Sequence, residues 1–128
     1  MTQKTSRYIV RGDEAAWYTP GGHTGTRNAR LVSAAQNGAR FMEVVLGEVE
    51  RGAGVSLHAH PGLEQAQYFL EGEAEVEIDG ETHQVRAGDL CFFPAAIFHS
   101  VRVTSPRMRV LIIYAPPYAE SPDQFVRG

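Results

Sequence analysis

The stretch Glu73 to Asp79, Glu-Ala-Glu-Val-Glu-Ile-Asp, constrains this chain more than any other. Ala74, Val76 and Ile78 alternate with Glu73, Glu75, Glu77 and Asp79. In an extended strand the apolar side chains then share one face and the acids the other. That is the pattern of a half-buried antiparallel strand. Asp79-Gly80 follows, a two-residue pair that favours the positive φ of a hairpin turn. Glu81 to Val85 reads as the returning strand. The acidic face is most simply a solvated one.

Other short strands flank this hairpin. Phe41 to Val49 is rich in β-branched and large apolar residues, with Gly47 as a candidate bulge. Leu90 to Phe93 is a short apolar strand stopped by Pro94. His99 to Val103 alternates again, with His99, Val101 and Val103 on one face. Arg107 to Tyr114 is the last strong strand, and Pro116-Pro117 ends it. No amphipathic helical stretch exceeds about two turns. Short strands separated by turn signals predict an all-β sandwich or barrel.

With 128 residues the chain suits one domain. Residues 1–40 read as an N-terminal arm with edge strands, 41–118 as the barrel and 119–128 as a polar C-terminal tail. Within the arm, Tyr8 to Val10 predicts a short edge strand and Arg30 to Val32 a second one. Thr19-Pro20-Gly21-Gly22 is a loop signal. Trp17, Tyr18 and His23 lie beside it, and an aromatic arm of this kind is expected across the barrel or on a partner subunit.

The net charge of −3, with no basic block, argues against a nucleic-acid partner. Cys91 is the single cysteine, so no internal disulfide forms, which fits a reducing compartment. It is expected as a buried small hydrophobe. The N-terminus shows no signal-peptide pattern and no apolar run reaches bilayer length. A cytoplasmic protein without membrane association is the expectation.

The chemistry lies in Gly52 to Gly72 and in Gly88 to His99. His58 and His60, one residue apart, project to the same face of a strand. Imidazole is the commonest neutral metal ligand. His60 and Gln65 have opposite parity, but the Pro61-Gly62 turn breaks the register and returns Gln65 to the inner face. Gln67 and Phe69 then line the cavity beside it, and Glu64 points away. His99 arrives from a separate strand. His58, His60, Gln65 and His99 are the expected metal ligands, converging on one ion. Glu64 is the alternative fourth ligand, reached if a bulge alters the strand parity. His83 is expected at the surface and His23 as a solvated loop residue.

Two sequence frames hold these residues. The first is Gly, five residues, His-x-His, four residues, a ligand, six residues, Gly; it is met by Gly52, His58, His60, Gln65 and Gly72. The second is Gly, five residues, Pro, four residues, His; it is met by Gly88, Pro94 and His99. Together they resemble the two motifs of the cupin superfamily. Three positions depart from it: Gln65 stands where the family usually has Glu, Ala96 replaces a Gly, and Val103 replaces an Asn.

The resemblance implies a double-sheet jelly-roll barrel, a divalent transition metal (zinc, nickel, manganese or iron), a small-molecule substrate and a homodimer. Exposed edge strands, which must be covered somehow, favour the same dimer. A Gln at the ligand position is similar to small cupin-type aromatic polyketide cyclases and hydroxynitrile lyases. Losing the carboxylate raises the effective charge on the metal and strengthens Lewis acidity. The expected activity is a cyclase- or lyase-type step on a carbonyl or phenolic substrate. An iron-dependent dioxygenase and a non-catalytic binding protein are the alternatives, because fold alone does not choose among them.

Overall fold

The structure is a computed structural model that describes residues 6–20 and 23–128. Among the described residues, eleven strands form two antiparallel sheets. In chain order they are β1 (Trp17–Tyr18), β2 (Thr26–Val32), β3 (Glu43–Glu50), β4 (Gly54–Ala59), β5 (Glu64–Glu71), β6 (Glu73–Ile78), β7 (Glu81–Arg86), β8 (Leu90–Phe93), β9 (His99–Val103), β10 (Arg107–Ala115) and β11 (Val126–Arg127). The six-stranded sheet runs β1-β2-β3-β10-β5-β8, and the five-stranded sheet runs β11-β4-β9-β6-β7. Packed face to face, they make the double-sheet jelly roll expected from the sequence. One α-helical turn, Ala34–Asn37, interrupts the arm, capped by the Ser33 side chain. Among the described residues no helix is long and apolar enough to cross a membrane.

The alternation in β6 is realised: Ala74 and Val76 are fully enclosed, and the Asp79-Gly80 turn takes positive φ at both residues, 50° and 81°. The inner faces of both sheets supply the core, centred on Val45, Phe69, Phe93, Val103, Met108 and Val110. Each such side chain contributes about 1.5–3 kcal/mol by leaving water. Gly72, where the chain turns from β5 into β6, sits at φ 93°, and a Cβ there would lie 2.3 Å from the Arg107 carbonyl oxygen. Only glycine fits so close a backbone approach.

Some local expectations are corrected. Tyr8 to Val10 is an exposed segment outside both sheets, because no strand among the described residues lies beside it to accept its backbone bonds. Gly47 is not a bulge; it pairs regularly with Asn28 on β2 and Val110 on β10. The register shifts fall elsewhere, at Arg30/Val32, Arg109/Val110 and Val55/His58. Strand β8 carries Leu90 and Phe92 on the outer face of its sheet and leaves both about half exposed. Gly21 and Gly22 of the predicted loop lie outside the described residues.

Candidate metal centre

Strand β4 lies beside β9 with His58 directly opposite His99. The register shift between Val55 and His58 lets both residues reach the interior although they are three apart. His60 follows at the end of β4, and the Pro61-Gly62 turn carries the chain across to β5 in the other sheet. There Gln65 and Gln67 point inward with Phe69, while Glu64, Tyr68 and Leu70 point out. His58, His60, His99, Gln65 and Gln67 are each at most 5 % exposed. One ring nitrogen from each histidine lies within 4.8 Å of the others. Ligands about 2.0–2.1 Å from a shared tetrahedral ion stand roughly 3.4 Å apart, so small rotamer shifts close this set on a cation.

Hydrogen bonding fixes which nitrogens are free. His58 Nδ1 lies 2.7 Å from the Ser56 carbonyl, His99 Nδ1 3.0 Å from the Ile97 carbonyl, and His60 Nδ1 2.6 Å from the Gln124 carbonyl. A carbonyl only accepts, so the proton sits on Nδ1 in all three rings and Nε2 is left as a lone pair. This is the tautomer that metal-binding histidines adopt, oriented by backbone carbonyls. The ring planes are held as well. His99 stacks on Phe93, with centroids 4.1 Å apart and planes 10° apart, and His58 stacks on Phe125 at 4.9 Å and 16°. Tyr114 and Tyr118 meet His60 edge-on.

The fourth position is informative. Gln65 Oε1 is 3.1 Å from His99 Nε2. With the His99 proton on Nδ1, two acceptors face one another across that gap without a hydrogen between them. A cation placed here would be held by both atoms. Without one, the amide must rotate half a turn so that its N–H donates to the ring. The three histidines, with their Nε2 atoms unprotonated, fit a divalent metal. Glu64 lies on the opposite face of β5 and is exposed. Among the described residues no carboxylate belongs to the histidine group.

Burial keeps these rings neutral. It pushes His58 down to about 3 and His99 to about 4 from the usual 6.5, against the raising effect of their backbone hydrogen bonds. His60 is lowered by the same cause. Beside the cluster, burial and then Glu120 lift the Tyr118 phenol to about 12, and burial raises Tyr114 well above its ordinary value. Both phenols stay protonated.

A cavity of about 600 Å³ reaches His58 and Gln65. Its body is apolar, built from Val49, Val55, Val101, Met108, Val110 and Ile112, and Asn28, Gln67, Tyr114 and Tyr118 add polar points. Phe69 shares the inward face of Gln67 but is sealed in the core instead of lining this space. His23 also lines the cavity; its Nδ1 is buried without a partner among the described residues, so it is not the solvated loop residue expected. His83 is exposed, and Cys91 is half-buried at the edge strand β8.

Two contributions escaped the sequence reading. The polar tail folds back: β11 pairs with β4, Arg127 opposite His58, and Phe125 covers the His58 ring. Glu43 is a buried inward carboxylate that accepts from Arg30 Nε and from the Ala119 N–H, both at 3.1 Å. The strand parity of β3 (Glu43, Val45, Gly47 and Val49 inward) could have revealed Glu43. Nothing local in residues 119–128 signals their placement.

A family model described as "Cupin domain" matches residues 45–114. Quercetin 2,3-dioxygenase of Bacillus subtilis is 28% identical over 104 residues, 81% of this chain but only 30% of the dioxygenase. Protein SchB of Streptomyces halstedii is 28% identical over 123 residues, covering 96% of this chain and 86% of that protein. The solved structure of the polyketide cyclase RemF from Streptomyces resistomycificus superposes with a TM-score of 0.67 at 25% identity, covering 90% of this chain and 80% of RemF.

Proposed function

This chain belongs to the cupin domain family, and from that premise we propose that it is a metal-dependent enzyme acting on a small carbonyl or phenolic substrate. His58, His60, His99 and Gln65 would hold a divalent transition metal: zinc, nickel, manganese or iron. The observation that carries this reading is the convergence of three buried imidazoles, each held by a backbone carbonyl at Nδ1, with the Gln65 amide beside His99. The metal, when bound, supplies Lewis acidity toward a substrate oxygen, undiminished by any carboxylate ligand.

The chain's own residues then do the rest. The apolar walls strip water from the substrate, which strengthens every charge interaction inside. Gln67 and Asn28 offer neutral amides to orient carbonyl or hydroxyl groups. Tyr118 and Tyr114, both protonated, present phenol hydroxyls to oxygen where negative charge develops. A cyclase- or lyase-type step follows from this combination, and the likeness to the polyketide cyclase RemF supports aromatic polyketide cyclisation.

The likeness to quercetin 2,3-dioxygenase favours a second reading, an iron-dependent dioxygenase. Turnover of a linear poly-β-ketone and of a flavonol, each with the metal-loaded protein under air and under nitrogen, separates the two. Oxygen-independent cyclisation supports the first reading, and oxygen uptake with the flavonol supports the second. Failure of the parent protein to bind zinc, cobalt or iron would remove both and leave a non-catalytic binding protein. A homodimer completes the proposal. Tyr68, Leu70, Leu90 and Phe92 form an exposed apolar outer face on β5 and β8 that a second copy would cover.

A further inference from the structure

The three imidazoles are not supported alike. His58 and His99 each donate to a carbonyl two residues back in the chain, Ser56 within β4 and Ile97 in the loop that leads into β9. His60 donates instead to Gln124, 64 residues further along the chain. The neighbouring residue, Phe125, provides the flat surface on which His58 stacks. Residues 124 and 125 thus touch two of the three histidines at once.

This contact is anchored. Gln124 reaches back with its side chain, and its Oε1 accepts the Gly62 N–H at 2.7 Å. Gly62 has no Cβ, and one placed there would lie 2.9 Å from Gln124 Nε2. Beyond Phe125, β11 pairs with β4, and the Gly128 N–H donates to the Leu57 carbonyl at 2.9 Å. Phe125 and Arg127 also wall the cavity. The segment is held at both ends and aimed at the site from outside the two-motif frame.

We infer that Gln124 and Phe125 are positioning residues of the metal site: the Gln124 carbonyl sets the His60 tautomer, and the Phe125 ring sets the plane of His58. The inference rests on the proposed metal reading and extends it to a segment outside both ligand motifs. Partners of this kind on metal-binding histidines typically matter by 10–100-fold in metal affinity. Two of three imidazole donors lose their preset orientation when the segment moves. Its remaining contacts with the barrel are a two-residue strand and a few hydrogen bonds, so loosening it leaves the core intact.

The test uses the full-length protein and cobalt(II), whose visible absorption reports coordination geometry, with zinc competition for affinity. Three variants are compared with the parent: Phe125→Leu combined with Gln124→Ala, Gly62→Ala, and Phe125→Tyr. The double variant is expected to bind cobalt about tenfold more weakly or worse, with an altered absorption band. Gly62→Ala, which displaces the Gln124 side chain from a distance, is expected to shift both readouts in the same direction by less. Phe125→Tyr keeps the flat ring and should match the parent. Urea unfolding of the metal-free forms controls for folding. If the double variant is unstable, Gly62→Ala against Phe125→Tyr decides alone. Parent-like affinity and spectrum in both loosened variants would overturn the inference and leave the metal site standing. A parent that binds no cobalt would overturn both.

Discussion

Two halves of the candidate metal centre are built differently. His58 and His99 face each other across adjacent strands, and each is oriented by a carbonyl two residues earlier in the chain. His60 sits at a strand end and takes its orientation from the folded-back C-terminal segment. The first half takes its hydrogen bonds from carbonyls close by in sequence, and the C-terminal segment adds only the Phe125 ring stacked on His58. The second exists only when residues 124 and 125 dock. On the proposed metal reading, the ligands of this site would then be rigid to different degrees, and the less rigid one would tune affinity without changing the ligand set.

Several measurements break or sharpen this contrast. The largest effect is expected from removing a ligand. His58→Ala, His60→Ala and His99→Ala should each cut cobalt affinity by about 100-fold or more, since even supporting partners are worth 10–100-fold. Equal losses would show that rigidity governs tuning and not ligation. Retained affinity in His60→Ala would place the ion on the β4–β9 pair alone.

Acidification comes next. In the metal-free protein His58 and His99 are held near 3 and 4 by burial, while in the unfolded chain they titrate near 6.5. Below 6.5 the unfolded chain therefore binds more protons, and stability falls as pH falls. The loss runs from about 6.5 down to about 4 for His99 and about 3 for His58, with up to about 1.4 kcal/mol per pH unit from each ring. Urea unfolding at stepped pH measures it, and His99→Gln should flatten the slope.

Gln65→Glu is expected to tighten metal binding by about tenfold, as one added carboxylate at the ion warrants, and to weaken turnover of a carbonyl substrate. Unchanged affinity would mean that residue 65 is not a ligand. A smaller effect is expected at Ala96, which adopts φ 66° and whose N–H donates to the His60 carbonyl at 2.8 Å. Ala96→Gly should raise stability by about 1 kcal/mol by relieving a left-handed backbone. Glu64→Ala, on the outward face of β5, should leave metal affinity within about twofold.

Much of this molecule was legible in its residues. The alternation of Glu73 to Asp79 placed Ala74 and Val76 in the core, because strand side chains alternate whatever they pack against. The same parity, restarted after Pro61-Gly62, turned Gln65 and Gln67 inward and Glu64 outward. Histidine spacing, with the two motif frames around it, brought His58, His60 and His99 to one point. These are short-range consequences of backbone geometry. What only the tertiary structure decided is long-range: the bulge between Val55 and His58, the burial of Glu43 under Arg30 and Ala119, and the return of Gln124 and Phe125 to the histidines. The tail reads as polar and featureless because its strand is two residues long. Its place is set by partners on β4 far away in sequence, which no local pattern encodes.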